Sequence, residues 1–275
     1  MNKKLKLAIL DMNNGHPNQG LRCICSIVEN FPKEIDYKVY DVRVTNEVPD
    51  LSYDIYISSG GPGNPLEGNG IWEIRFTQLI DQLWAHNKTA DSINKKHAFF
   101  ICHSFQLVCN HFQLGEITKR HSTSFGIFPV HKTKVGQDEI ILNGLENPFY
   151  AIDSRDWQLV QPKLNVIKKW GAKILALEKI RDHVSYERAI MAVRFSDEFI
   201  GTQFHPEADA EGMTAHLLKE ENREKIIKGF GKRKYNKMMK LLAIPETIAA
   251  TNEAILPAFI ENAICQLRGE EILQN

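Results

Sequence analysis

From the start of the chain to about residue 205, short β-rich runs closed by turn residues alternate with stretches of helical period. This is the signature of βα units around a mostly parallel sheet. Leu5 to Leu10 predicts the first strand, and Gln19 to Phe31 sets Leu21, Ile24, Cys25, Val28 and Phe31 on one helical face. Strands are predicted over Asp36 to Val42 and Tyr53 to Ser58, the latter running into the turn Ser59-Gly60-Gly61-Pro62-Gly63-Asn64-Pro65. Ile71 to His86 has the spacing of a helix that covers one sheet face. His97 to Ile101 is apolar after its first residue, as a strand buried on both faces requires. Helical spacing resumes directly after Cys102 through Phe105, Val108, Cys109 and Phe112, up to a stop at Leu114-Gly115. The chain therefore turns from strand to helix at a cysteine. Lys173 to Leu177, Ala189 to Phe195 and Phe199 to Phe204 predict further strands, the last ending at His205-Pro206-Glu207 because proline cannot extend a ladder.

After residue 208 the sequence becomes charge-laced and helix-favouring, with one helix expected over Lys232 to Ala243 and another starting at Pro245. Pro257 is expected to break or kink that last segment. No linker-like stretch separates the two regions, so residues 208–275 are expected to form a helical extension packed on a domain of residues 1–207. Ile248, Ile255, Phe259, Ala263 and Leu267 recur at near-helical spacing, which favours packing on the parent domain over a homodimer interface.

Composition narrows the function classes. The 275 residues are 43% hydrophobic and 25% charged, ordinary for a globular chain and unlike a disordered or disulfide-dense one. Thirty-four basic and thirty-four acidic residues give a formal charge of zero, so nothing global draws the molecule to nucleic acid or an anionic membrane. Lys219 to Lys240 holds nine Lys or Arg and three Glu with few aromatics, the pattern of a solvated, ion-paired helix surface. The N-terminal apolar stretch is interrupted by Lys6 and ended by Asp11, too short for a signal-peptide core. No run of ~18 apolar residues occurs, so a cytoplasmic protein without membrane contacts is expected. Five cysteines suit reduced thiols. Cys23 and Cys25 lack a second pair, and the histidine spacings match no metal motif, so neither metal nor cofactor is expected.

The chemistry concentrates at Cys102. A thiol on a strand-to-helix turn projects above the sheet, and the helix N-terminus favours its thiolate. His205 at the end of another strand supplies a base, and Glu207, two residues on and pointing the same way, can fix the imidazole tautomer. Attack on an amide carbonyl also needs backbone N–H donors for the oxyanion. The glycine loop after Ser59 suits that need, and His103, following the cysteine, offers a second amide. Ser58-Ser59-Gly60-Gly61 continues with Pro62-Gly63, without the acid and serine of an ATP-pyrophosphatase loop, and is no phosphate cradle.

With Ser59-Gly60-Gly61-Pro62-Gly63, Ile101-Cys102-His103-Ser104-Phe105-Gln106 and Thr202-Gln203-Phe204-His205-Pro206-Glu207 in this order and at these separations, the chain resembles the class I glutamine amidotransferases, above all the amidotransferase part of GMP synthase. The resemblance runs over roughly residues 5–207 and takes in Leu114-Gly115-Glu116-Ile117 and Ile174-Leu175-Ala176. It implies a flavodoxin-like three-layer α/β sandwich with a mostly parallel central sheet, followed by C-terminal helices. It also implies a cysteine hydrolase that cleaves the γ-amide of glutamine, or of a related γ-glutamyl compound, through a γ-glutamyl thioester with release of ammonia. In that scheme Cys102, His205 and Glu207 are catalytic, Gly61 and His103 build the oxyanion hole, and Gly60, Gln106, Ser124 and Phe125 hold the substrate. The chain leaves no room for a synthetase domain, so it is expected to act alone or with a separate synthetase or acceptor subunit. Where the family has glycines flanking the elbow, this chain has Phe100 and Ser104, and Phe105 replaces a common histidine. Those departures keep open a catalytically degraded binding or regulatory protein. Asp153-Ser154-Arg155-Asp156 lacks the histidine that relatives carry there; it is given no catalytic part, with Arg155 and Asp156 left as pocket lining.

Overall fold

The computed structural model describes residues 3–16, 18–68, 70–181, 185–244 and 246–270. The first half is a βα alternation: β1 (Leu5–Asp11), α1 (Gln19–Val28), β2 (Ile35–Asp41), the short α2 (Val42–Thr45), β3 (Ile55–Ser58), α3 (Ile71–Thr89), β4 (His97–Ile101) and α4 (His103–His111). There follow β5 (Glu116–Lys132), the short α5 (Lys134–Gln137), β6 (Phe149–Val160), α6 (Leu164–Trp170), β7 (Lys173–Glu178), β8 (Ile190–Arg194) and β9 (Phe199–Thr202). Four helices close the chain, α7 (Ala210–Leu218), α8 (Glu220–Phe230), α9 (Lys232–Leu242) and α10 (Glu246–Arg268).

Among the described residues the strands form one nine-stranded sheet in the order β2-β1-β3-β4-β9-β8-β7-β5-β6. β2, β1, β3, β4 and β9 run parallel, and β8, β7, β5 and β6 extend this core with antiparallel pairings. Because side chains alternate along a strand, β1 splits its apolar residues between two cores. Leu7 and Ile9 join Ile24 and Val28 of α1 and Ile255 and Phe259 of α10 on one face. Ala8 and Leu10 join Phe76 and Leu83 of α3 and Val108 of α4 on the other. The result is an α/β sandwich of three layers, as expected.

Three departures from the sequence expectation stand out. β5 and β6 are the longest strands, yet the sequence pattern predicts no element there. β5 carries Lys119, Arg120 and His121 and shifts register against β6 between Lys119 and Ser124, so its polar stretch breaks the alternation a strand normally displays. Pro257 does not end the last helix: α10 continues through it. Ile255, Leu256, Phe259 and Ile260 around it are buried, and Phe259 meets Phe99 of β4 edge-on at 5.2 Å between centroids, so tertiary packing outweighs the one lost backbone hydrogen bond. Pro245, expected at the helix start, lies outside the described residues. Third, the region after residue 208 holds α7 and α8 in addition to α9; with Ile127 and Ile152 of the β5–β6 pair they enclose a third apolar cluster through Leu217, Ile226, Tyr235 and Met238. No helix among the described residues is long and apolar enough to cross a membrane.

Candidate active site

Ligands of open α/β sheets bind outside the carboxyl ends of parallel strands, where neighbouring connections diverge to opposite sides. Here β1, β3, β4 and β9 all end at one cavity of about 530 Å³, walled by Gly60, Gly61, Cys102, Gln106, Trp157 and His205 among others.

Cys102 sits between β4 and α4 with φ 50° and ψ −99°, a backbone conformation that a side-chain-bearing residue rarely adopts. Strain of this kind costs of order 1–3 kcal/mol and persists only where the surroundings impose it. The imposing contacts are visible: Cys102 N–H donates to Thr202 O of β9 at 2.8 Å, and its carbonyl accepts from Gln106 N–H at 3.0 Å. Ser104 tightens the elbow, its hydroxyl donating to Ser58 O (2.9 Å) and accepting from Ile101 N–H (2.9 Å). Phe100 points away from the cavity into a nest of Phe76, Phe195 and Phe199, and Phe105 packs on Phe195. Room for both rings comes from Gly201, the sheet partner of Phe100; a Cβ there would lie 2.9 Å from the Phe105 ring. The larger residues that distinguish this elbow are thus absorbed by the core and by a hydroxyl network.

His205 is placed by an isolated bridge to β6, its N–H donating to Ile152 O at 2.8 Å. Its Nδ1 lies 2.8 Å from Glu207 Oε1, which leaves Nε2 free of the carboxylate, while Cys102 Sγ meets Ser154 O and Gln203 Nε2, each at 3.6 Å. Burial opposes charge on the imidazole, but the facing Glu207 carboxylate and Cys102 sulfur outweigh it and hold the His205 pKa well above the usual histidine value. Glu207 is itself buried. Asn252 of α10 donates to Glu207 O at 2.7 Å, so the last helix holds the carboxylate's backbone.

The glycine loop is anchored from β1. Ser59 Oγ accepts from Met12 N–H (2.9 Å) and donates to Gly60 O (2.9 Å), while Asn13 Nδ2 also donates to Gly60 O (3.2 Å). Gly60 passes against both the His205 and the Cys102 side chains: a Cβ there would lie 2.7 Å from His205 Cε1 and 3.3 Å from Cys102 Cβ. Gly61 crosses so close to the Met12 carbonyl that no side chain fits. Among the described residues neither Gly61 N–H nor His103 N–H has an acceptor. His103 opens α4; burial lowers its imidazole pKa to about 4, helped by the Arg43 charge, so that side chain is neutral near pH 7.

The remaining expected site residues divide. Gln106 lines the cavity, but its Nε2 is engaged by Gln203 Oε1 (2.9 Å) and Trp157 O (3.1 Å). Ser124 does not face the cavity: its hydroxyl donates to Asp153 Oδ2 at 2.8 Å, in a buried pair with Arg155. Phe125 stacks on Phe230 of α8, and from this strand it is Thr123 that reaches the cavity. The register shift before Ser124, invisible in the sequence, decides which of these residues faces inward. Arg155 and Asp156 line the cavity. Two contributors escape sequence reasoning. Gln203, buried beneath the site, donates to Cys102 Sγ at 3.6 Å and links it to Gln106; its place beside His205 is the available signal. Asn252 carries none. No three His, Cys, Asp or Glu side chains among the described residues converge on a point that could hold a metal ion.

The family model described as "Glutamine amidotransferase class-I" matches residues 23–224. None of the curated proteins matches the chain. Solved structures share the fold: a glutamine amidotransferase from Thermotoga maritima (13% identity, TM-score 0.68, covering 96% of this chain and 99% of that one) is similar to it. So is a glutamine amidotransferase from Methylobacillus flagellatus (15%, 0.68, 99% of both chains). A protein from Thermoplasma acidophilum, described as one of the subunits of a GMP synthase, is similar at 14% identity and TM-score 0.55, over 98% of this chain and 96% of that one.

Proposed function

The chain belongs to the class I glutamine amidotransferases, and on that premise we propose that it hydrolyses the γ-amide of glutamine or of a related γ-glutamyl compound. Cys102 Sγ attacks the γ-carbonyl carbon, and the oxyanion is met by the unengaged N–H groups of Gly61 and His103. His205 passes its proton to the leaving nitrogen, Glu207 holds the imidazole, and the C–N bond breaks to leave a γ-glutamyl thioester. Water, deprotonated by His205, then releases glutamate and restores the thiol. Gly60 and Gln106 line the substrate's side of the cavity, and Ser124, bonded to Asp153, and Phe125, stacked on Phe230, take no direct part in it.

The observation that carries this reading is the convergence of strained Cys102, the His205–Glu207 pair at 2.8 Å and two free amides on one cavity. Phe100 and Ser104, which kept the degraded reading open, leave the cavity unobstructed. Residues 1–207 form the catalytic domain in this proposal and residues 208–275 its helical extension. The ammonia is used by a separate synthetase or acceptor subunit, or is set free by a protein acting alone. Steady-state ammonia release from glutamine and a panel of γ-glutamyl amides tests the proposal, with Cys102→Ala as the control. Absence of Cys102-dependent turnover on every compound, with and without a candidate synthetase, would refute it.

A further inference from the structure

A second cavity, of about 310 Å³, opens on the far side of the imidazole. It shares Asn18, Gly20, Ser154, His205 and Glu207 with the first cavity, whereas Gly61, His103 and Gln106 belong to the first alone. His205 therefore stands on the boundary between them. Phe125, Ile152, Ala208 and Met213 give the second cavity its apolar lining, Asp209 adds a carboxylate, and His216 and Lys219 are exposed at the rim. Phe125 is held in place by Phe230 at 5.8 Å in a stacked pair.

The chemistry orders these spaces. Once the γ-carbonyl carbon is bonded to Cys102 Sγ and its oxygen lies at the Gly61 and His103 amides, the leaving nitrogen must sit beside His205, which protonates it. The glutamyl part occupies the first cavity, so any substituent on that nitrogen is directed past the imidazole. Ammonia has no substituent and needs no such room. A cavity of about 150 Å³ lined by apolar side chains already accommodates benzene, and the space here is larger and walled on one side by a braced aromatic ring.

Building on the hydrolase reading, we propose that this second cavity is a leaving-group subsite and that the substrates are γ-glutamyl amides carrying an apolar substituent on the amide nitrogen. The reaction remains balanced without any further reactant: C–S forms and C–N breaks with the proton from His205 going to the amine, then C–O forms from water as C–S breaks. The products are glutamate and a primary amine.

The test compares kcat/KM for glutamine, γ-glutamylmethylamide and γ-glutamylanilide in the full-length protein, and repeats the series in Met213→Trp. The expected result is that the anilide exceeds glutamine by tenfold or more, and that Met213→Trp lowers the anilide-to-glutamine ratio at least tenfold. Turnover of glutamine with rejection of both substituted amides would overturn the subsite and leave the hydrolase reading standing. Silence on all three compounds would overturn both. An unchanged ratio in folded Met213→Trp would place the substituent elsewhere and also overturn the subsite. The wild-type series does not depend on the variant folding: rates that decline steadily with substituent size would show a closed wall where the proposal needs an opening.

Discussion

Gly60→Ala isolates the geometry at the centre of the proposed mechanism. Gly60 does not use a left-handed backbone, so alanine meets no main-chain obstacle. The obstacle is His205, whose Cε1 would lie 2.7 Å from the new methyl, against a normal carbon–carbon contact of about 3.5 Å. One of the two groups must yield by about 0.8 Å. The loop is tied to β1 through Ser59 and Asn13, whereas the imidazole is held by its bond to Glu207, so the imidazole yields. A misplacement of this size in a proton-transfer group costs on the order of 10²-fold in rate, equivalent to about 2.7 kcal/mol. Overpacking costs roughly 1–3 kcal/mol of stability, partly offset by ~0.4–1 kcal/mol from the restricted unfolded chain. The variant should therefore remain folded, with kcat for ammonia release reduced about a hundredfold and a melting temperature lower by a few degrees. Gly229→Ala in α8, where a methyl meets open space, is the control and should keep the wild-type rate. A Gly60→Ala protein with kcat within twofold of wild type would refute the placement of the imidazole.

Cys102→Ala should abolish turnover while leaving the protein folded, since the smaller side chain adds nothing at the strained elbow; residual ammonia release above background would remove the cysteine from the mechanism. Glu207→Gln should lower kcat by on the order of 10²–10⁴-fold by mis-setting the imidazole, and histidine NMR should show the His205 pKa falling toward its usual value; a native rate would overturn the orienting role. Asn252→Ala removes the donor to Glu207 O and should lower kcat several-fold with little change in KM, together with a shift in the pH profile; an unchanged profile would make α10 merely structural. Because the folded His205 pKa is raised, its ion-pair contribution to stability is complete below about pH 6.5, the value of an unperturbed histidine. It is lost as pH rises through the folded value. Thermal melts of wild type should therefore decline on the alkaline side more than those of Cys102→Ala, and parallel curves would contradict the pairing.

Local sequence carried the half of the site built from Cys102, the glycine loop and His205-Pro206-Glu207. The apolar run of β4 fixes a buried strand, Cys102 ends it, and helical spacing starts at the next residue, so the elbow follows from short-range pattern alone. Gly60 and Gly61 after β3 and His205-Pro206-Glu207 after β9 are equally local, because alternation along one extended segment sets His205 and Glu207 on the same side. The apolar run of β4 likewise specified a strand buried on both faces, and its Phe99 and Ile101 face one core while Ala98 and Phe100 face the other.

The rest depends on contacts between residues far apart in the chain. β5 and β6 hold each other across a register shift that no one-strand pattern encodes, and that shift turns Thr123 into the cavity and Ser124 toward Asp153. Pro257 remains helical because Phe99 and its neighbours supply packing that local propensity lacks. Asn252 reaches Glu207 only once α10 has folded back over the sheet. Sequence thus determined which turns present Cys102, His205 and Glu207. Tertiary structure alone decided what surrounds them, since burial and register are properties of the assembled sheet and not of any single segment.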